Sequence, residues 1–181
     1  SAASDVYKRQ VLDFGGQYNQ LIARRVREHH VYAEVRPCSK VTLDEVREYA
    51  GVIFTGGPNS VYEESSPHFD PAILAAGVPV LGICYGHQLM AWMGGGEICS
   101  AGDISEYGKI ELTADESPLF VDIPAKSICW MSHTDYVKEV PAGFRTIART
   151  ESCPCAAMCD ESRKLYGVQF HPEVTLSLIH I

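Results

Sequence analysis

The sequence has no excess of positive charge: 15 Lys and Arg stand against 23 Asp and Glu, a formal net charge of −8. With no basic footprint, nucleic acid is not an expected partner. The densest basic stretch, Arg24-Arg25-Val26-Arg27, falls in a helical pattern and reads as a solvated face. No apolar run approaches the roughly 20 residues that span a bilayer, and the first residues lack the apolar core of a secretory signal. No membrane partner is expected. Paired Cys-x-x-Cys spacing is missing too. The seven cysteines are Cys38, Cys84, Cys99, Cys129, Cys153, Cys155 and Cys159, an odd count expected to stay reduced in a cytoplasmic protein. The cluster from Cys153 to Cys159 has no histidine at zinc-finger distance, so no metal is expected and these thiols read as core or loop residues. Internal repeats, low-complexity tracts and linkers are absent as well.

What is present fits one domain of ordinary composition, 46% hydrophobic and 21% charged, over 181 residues. Residues 1–10 and 176–181 match neither neighbouring pattern and read as non-native flanks, translated from cloning or sequencing, around a domain at 11–175. On that reading the natural protein extends beyond both ends.

Between those limits, apolar strands, glycine turns and helices alternate. Val11 to Phe14 predicts a strand closed by Gly15-Gly16, then a helix with Tyr18, Leu21, Ile22, Val26 and His29 on one face. Val31 to Val35 predicts a second strand. Thr42 and Glu45 form a capping box for a short helix through Tyr49. Val52 to Phe54 is a third strand, and Asp70-Pro71 opens a helix ended by Gly77. Val78 to Ile83 runs into Cys84 and a helix over 86–93. The fold class is therefore α/β, with a mostly parallel central sheet and flanking helices. Shorter strands at 110–112, 127–131, 144–148, 156–159 and 165–170 predict a mixed or antiparallel extension of that sheet.

Three patterns carry chemistry. Gly82-Ile83-Cys84-Tyr85-Gly86 matches a nucleophile elbow with cysteine as the nucleophile. Glycines on both sides allow a sharp turn from strand to helix, and the helix N-terminus favours the thiolate. Alone, the pattern also fits a buried core cysteine. Tyr166 to Glu173 is an apolar strand delivering His171, then Glu173 two residues later. Histidine can act as base and acid near neutral pH, and a carboxylate can orient it, with Pro172 stiffening the spacing. The turn Thr55-Gly56-Gly57-Pro58 can aim backbone N–H groups at an oxyanion, with the Tyr85 N–H as second donor.

Gly-Ile-Cys-Tyr-Gly-His-Gln at 82–88 and Gln-Phe-His-Pro-Glu at 169–173 resemble the class I glutamine amidotransferases, and the likeness runs from Val11 to Thr175. Within that class, the segments 13–18, 55–60, 130–135, 150–154 and 166–175 resemble the GMP synthases. The resemblance implies a flavodoxin-like fold and a catalytic triad of Cys84, His171 and Glu173. It also implies an oxyanion hole at Gly57 and Tyr85, and L-glutamine bound by Gly56, Gly57, Pro58, Gln88, Thr134 and Asp135. It implies ammonia passed to an ATP-pyrophosphatase (GMP synthetase) domain or subunit that turns XMP into GMP. ATP and Mg are expected only in that partner, because no Ser-Gly-Gly-x-Asp-Ser-like loop occurs here.

Three other readings stay open at this point. One is an amidotransferase of another pathway (anthranilate, aminodeoxychorismate, carbamoyl phosphate or CTP synthesis). The others are a thiol hydrolase of γ-glutamyl compounds and a catalytically silent regulatory or docking domain.

Overall fold

A computed structural model describes residues 8–174. Its centre is a nine-stranded sheet in the order β2-β1-β3-β4-β11-β10-β9-β6-β7. The parallel half comprises β1 (Arg9–Asp13), β2 (Ala33–Pro37), β3 (Gly51–Phe54) and β4 (Val80–Ile83), joined by β11 (Leu165–Val168). The antiparallel half comprises β6 (Glu106–Ala114), β7 (Lys126–His133), β9 (Arg145–Arg149) and β10 (Ala157–Asp160). The predicted mixed sheet is therefore present.

The central strands alternate between two apolar faces. Val11, Ile53, Ile83 and Val168 point to one side, where Ile22, Ala23 and Val26 of helix α1 (Asn19–Glu28) join them. Leu12, Phe54, Val80 and Leu165 point to the other, against Leu89 and Met90 of helix α3 (Tyr85–Met93) and Phe69 and Ile73. Cover on both faces explains why these strands read as continuous apolar runs.

Several boundaries differ from the sequence reading. β1 begins at Arg9, inside the segment set aside as a flank, and Gln10 is wholly buried with its amide donating to the Glu34 carbonyl. Residues 1–7 and 175–181 lie outside the described residues. Helix α2 (Leu43–Val46) has the predicted capping box but ends before Tyr49, because the chain must turn into β3 at Gly51. The Asp70 segment is one 3₁₀ turn, Pro71–Ala75, capped by the Asp70 carboxylate and left through Gly77 at φ 76°. On α1 the buried stripe is Asn19, Ile22, Ala23 and Val26, while Tyr18 and His29 are exposed. The basic stretch is less solvated than expected: Arg25 donates to the Glu173 carbonyl and Arg27 to the Ala33 carbonyl.

One pairing was not anticipated. β5 (Glu97–Ser100) and β8 (Asp135–Glu139) form a separate antiparallel ribbon after α3. β5 has no buried face that periodicity could reveal. β8 does alternate, with Asp135 and Val137 inward. β8 starts at Asp135, which together with Thr134 lines a cavity shared with Cys84. No helix among the described residues is long and apolar enough to cross a membrane.

Candidate active site

The sheet register brings three strand ends together. Phe54 of β3 lies opposite Gly82 of β4, and Val168 of β11 opposite Ile83. The next residues of each chain segment, Thr55-Gly56-Gly57, Cys84 and Gln169-Phe170-His171, therefore leave the sheet side by side. Such crevices at the carboxyl ends of parallel strands are the usual ligand sites of α/β folds.

Cys84 sits at the elbow with φ 54° and ψ −106°, a conformation that a residue with a side chain rarely adopts. Neighbouring packing holds it there. The Cys84 N–H donates to the Val168 carbonyl at 2.8 Å, and the Gly86 N–H to the Thr55 carbonyl at 3.1 Å. The elbow requires glycine on both sides: a Cβ on Gly82 would lie 2.5 Å from the Gly86 oxygen, and one on Gly86 2.4 Å from the Phe54 oxygen. Tyr85 opens α3, so its N–H is one of the four that a helix start leaves without an intrahelical acceptor.

His171 faces the thiol. Its Nδ1 is 2.7 Å from Glu173 Oε1, and Glu173 is fully buried. Burial opposes a charged imidazole here, but hydrogen bonding and charge at Cys84 and Glu173 outweigh it and raise the His171 pKa to about 10. The imidazole therefore keeps its proton through neutral pH. Its backbone is tied to β7 by the His171 N–H to the Trp130 carbonyl, and Tyr18 packs edge-on against the ring. Arg25 holds the Glu173 carbonyl from α1.

The remaining expected residues surround the thiol in different ways. A Cβ on Gly56 would touch His171 Cε1 and Cys84 Cβ, and one on Gly57 would strike the Phe14 oxygen at 2.9 Å. Gly56 thus lies against the nucleophile and its base, and Gly57 lets the turn pack onto the Phe14 carbonyl and the Tyr85 ring. A cavity of about 240 Å³, lined by Gly16, Tyr18, Gly56, Gly57, Cys84 and His171, meets a second of about 390 Å³, lined by Pro58, Ser60, Gln88, Thr134 and Asp135. Gln88 is deeply buried; its amide donates to the Asp135 carbonyl at 2.8 Å and to Gln169 Oε1 at 3.0 Å. The Asp135 carboxylate accepts from Ser60 and Tyr62.

Sequence reasoning missed the supporting groups. The Gln169 amide lies 3.7 Å from Cys84 Sγ and the Ser132 carbonyl 3.6 Å from it. Gln169 follows the last residue of β11, a polar residue two positions ahead of His171, which was a readable signal. Ser132 gave none. The other thiols stand apart from this chemistry: Cys153 and Cys155 are buried, burial pushes Cys129 and Cys155 up to about 12, and it raises Cys153 further.

Comparison with known proteins bears on the family and the fold. The sequence profile described as glutamine amidotransferase class-I matches residues 10–179. A GMP synthase (glutamine-hydrolyzing) of Clostridium novyi is 58% identical over 170 residues, covering 93% of this chain and 33% of its own length. That of Clostridium botulinum strain Hall is 56% identical over 171 residues, with the same coverage of 93% and 33%. The chain thus spans about a third of the length of these relatives. A solved structure from Thermoplasma acidophilum, described as a GMP synthase subunit, superposes with TM-score 0.82 at 26% identity, covering 95% of this chain and 87% of that one. A glutamine amidotransferase from Thermotoga maritima shares the fold, with TM-score 0.75 at 21% identity over 93% of this chain and 76% of that one. By sequence, fold and the arrangement at its strand ends, this chain belongs to the class I glutamine amidotransferase family.

Proposed function

We propose that this chain hydrolyses L-glutamine to glutamate and ammonia. The observation that carries the reading is the strained Cys84 facing a buried His171 that is itself held by Glu173 at 2.7 Å. In the proposed reaction the Cys84 thiolate attacks the side-chain amide carbon. The negative charge that develops on oxygen is met by the Gly57 and Tyr85 N–H groups. The His171 imidazolium gives its proton to the departing nitrogen, ammonia leaves, and a γ-glutamyl thioester remains. Water then attacks the thioester as His171 takes a proton back, releasing glutamate and restoring the thiolate. Gly56, Pro58, Gln88, Thr134 and Asp135 are proposed to form the wall that holds the amino-acid end of glutamine. Neither metal nor organic cofactor enters this half of the chemistry.

The identities of 56–58% to glutamine-hydrolyzing GMP synthases support a narrower reading. In it, the ammonia serves an ATP-pyrophosphatase (GMP synthetase) domain or subunit that adenylates XMP and aminates it to GMP in the cytoplasm. ATP and Mg belong to that partner. The test is glutamate release by this chain with and without a synthetase partner charged with ATP and XMP. Stimulation by the charged partner is the expected result. Release that ignores the partner overturns the GMP assignment and leaves the glutaminase.

A further inference from the structure

Glu106 and His133 are buried titratable residues that the proposed chemistry does not use. Glu106 opens β6 and pairs across the ladder with His133, the last residue of β7. Their side chains are 6% and 2% exposed, and Glu106 Oε2 lies 3.0 Å from His133 Nε2. The other ring nitrogen, Nδ1, lies 3.0 Å from the Asp135 carbonyl. A carbonyl only accepts, so Nδ1 carries a hydrogen, and Nε2 and Oε2 are joined by one hydrogen bond. Glu106 Oε1 accepts from the Thr150 hydroxyl at 2.6 Å, and that hydroxyl accepts from the Cys153 N–H.

Donor atoms of Glu106, His133 and Cys153 lie within 4.8 Å of one another, a set that can ligate a metal. Hydrogen bonds engage both carboxylate oxygens and both ring nitrogens, so the cluster also forms a hydrogen-bonded network. That network does not stop at His133. The Asp135 carbonyl also accepts from Gln88, which donates to Gln169, whose amide contacts the Cys84 sulfur. The segment it pins, Ser132 to Asp135, forms one wall of the cavity beside Cys84.

We propose that Glu106 is a positioning residue for the substrate: acting through His133, it fixes Asp135 at the cavity wall and so sets affinity for the amino-acid end of glutamine. This inference rests on the glutaminase reading above. Glu106 touches neither Cys84 nor His171, so the chemistry at the thiol should survive its loss. The negative charge is not what matters. A glutamine at 106 can donate from its amide to His133 Nε2 and still accept from Thr150, keeping every bond. Alanine leaves the ring unheld, and aspartate withdraws the carboxylate from its reach.

The experiment measures kcat and KM for glutamate release by the wild-type chain and by E106Q, E106D and E106A. Alongside these, Cys84 alkylation is timed with iodoacetamide, which lacks an amino-acid end, and with a diazo-ketone analogue of glutamine, which has one. E106Q should stay within about twofold of wild type, whereas E106A and E106D should raise KM about tenfold and lower kcat less than about threefold. Iodoacetamide should label all four alike, while the analogue labels E106A and E106D more slowly. Unchanged KM in the folded E106A and E106D overturns the proposal, as does equal slowing by both reagents. If E106A fails to fold, E106D decides; if both fail while E106Q folds, the residue is structural and the proposal is overturned. A folded wild type that neither releases glutamate nor reacts with the analogue overturns the glutaminase reading first, and this inference with it.

Discussion

Replacing Gly86 with alanine sets two opposed effects against each other. In a helix interior alanine is favoured over glycine by about 1 kcal/mol, and Gly86 is the second residue of α3. Against this, the new Cβ would sit 2.4 Å from the Phe54 oxygen, 2.6 Å from its Cβ and 2.8 Å from its carbonyl carbon. Two of these three are backbone atoms of a fully buried central strand, so no side-chain rotation relieves the contact. The helix start and β3 must separate by roughly half an ångström or more, against close packing that yields little. Overpacking of this kind costs about 1–3 kcal/mol, so after the propensity gain of about 1 kcal/mol G86A should be left destabilised by up to about 2 kcal/mol. Function should suffer more, because the same shift moves Cys84 and the Tyr85 N–H. A misplacement of about 1 Å can cost on the order of a hundredfold in rate. Urea unfolding would read the first effect, and glutamate release the second. A G86A chain more stable than wild type, with its activity retained, would refute the claim that close approach to β3 is why glycine stands there.

Further expectations follow from the electrostatics and the caps. The His171 pKa is raised from 6.5 to about 10, so its proton stabilises the fold fully below about pH 6.5, and that contribution is lost as pH rises through 10. Urea midpoints should therefore fall over this range in wild type and fall less in E173Q, where one source of the shift is gone; parallel curves would contradict it. Thr42→Ala removes the hydroxyl that accepts from the Glu45 N–H, leaving only the Thr42 N–H to Glu45 carboxylate bond of the capping box, and should cost about 1 kcal/mol while leaving glutamate release unchanged, as no residue of α2 lines the cavities beside Cys84. Limited iodoacetamide on the folded chain should spare Cys129, Cys153 and Cys155, whose thiols burial keeps protonated; peptide mass mapping would expose any labelling of them.

Much of the site was legible because its geometry restricts residue type. The elbow at Cys84 tolerates only glycine at 82 and 86, so the pattern survives as a string. His171 and Glu173 are two residues apart on one segment, and their contact is local. The parallel core was legible because strands covered on both faces become uninterrupted apolar runs. The β5–β8 ribbon was not, since its pairing joins segments far apart in the chain and β5 buries no face of its own. The Glu106–His133 pair is hidden for a related reason: a polar residue at a strand end looks solvated until the register of β6 and β7 brings a partner to it. Arg25 misled in the same way, as only the fold brings the Glu173 carbonyl within its reach.

The central claim is that Cys84 is the nucleophile of a glutaminase, and glutamate release from L-glutamine by the wild-type chain and by C84A tests it most directly. The account predicts steady release from wild type and none from C84A at equal, folded concentration. Equal release from both, or none from a folded wild type, would contradict it.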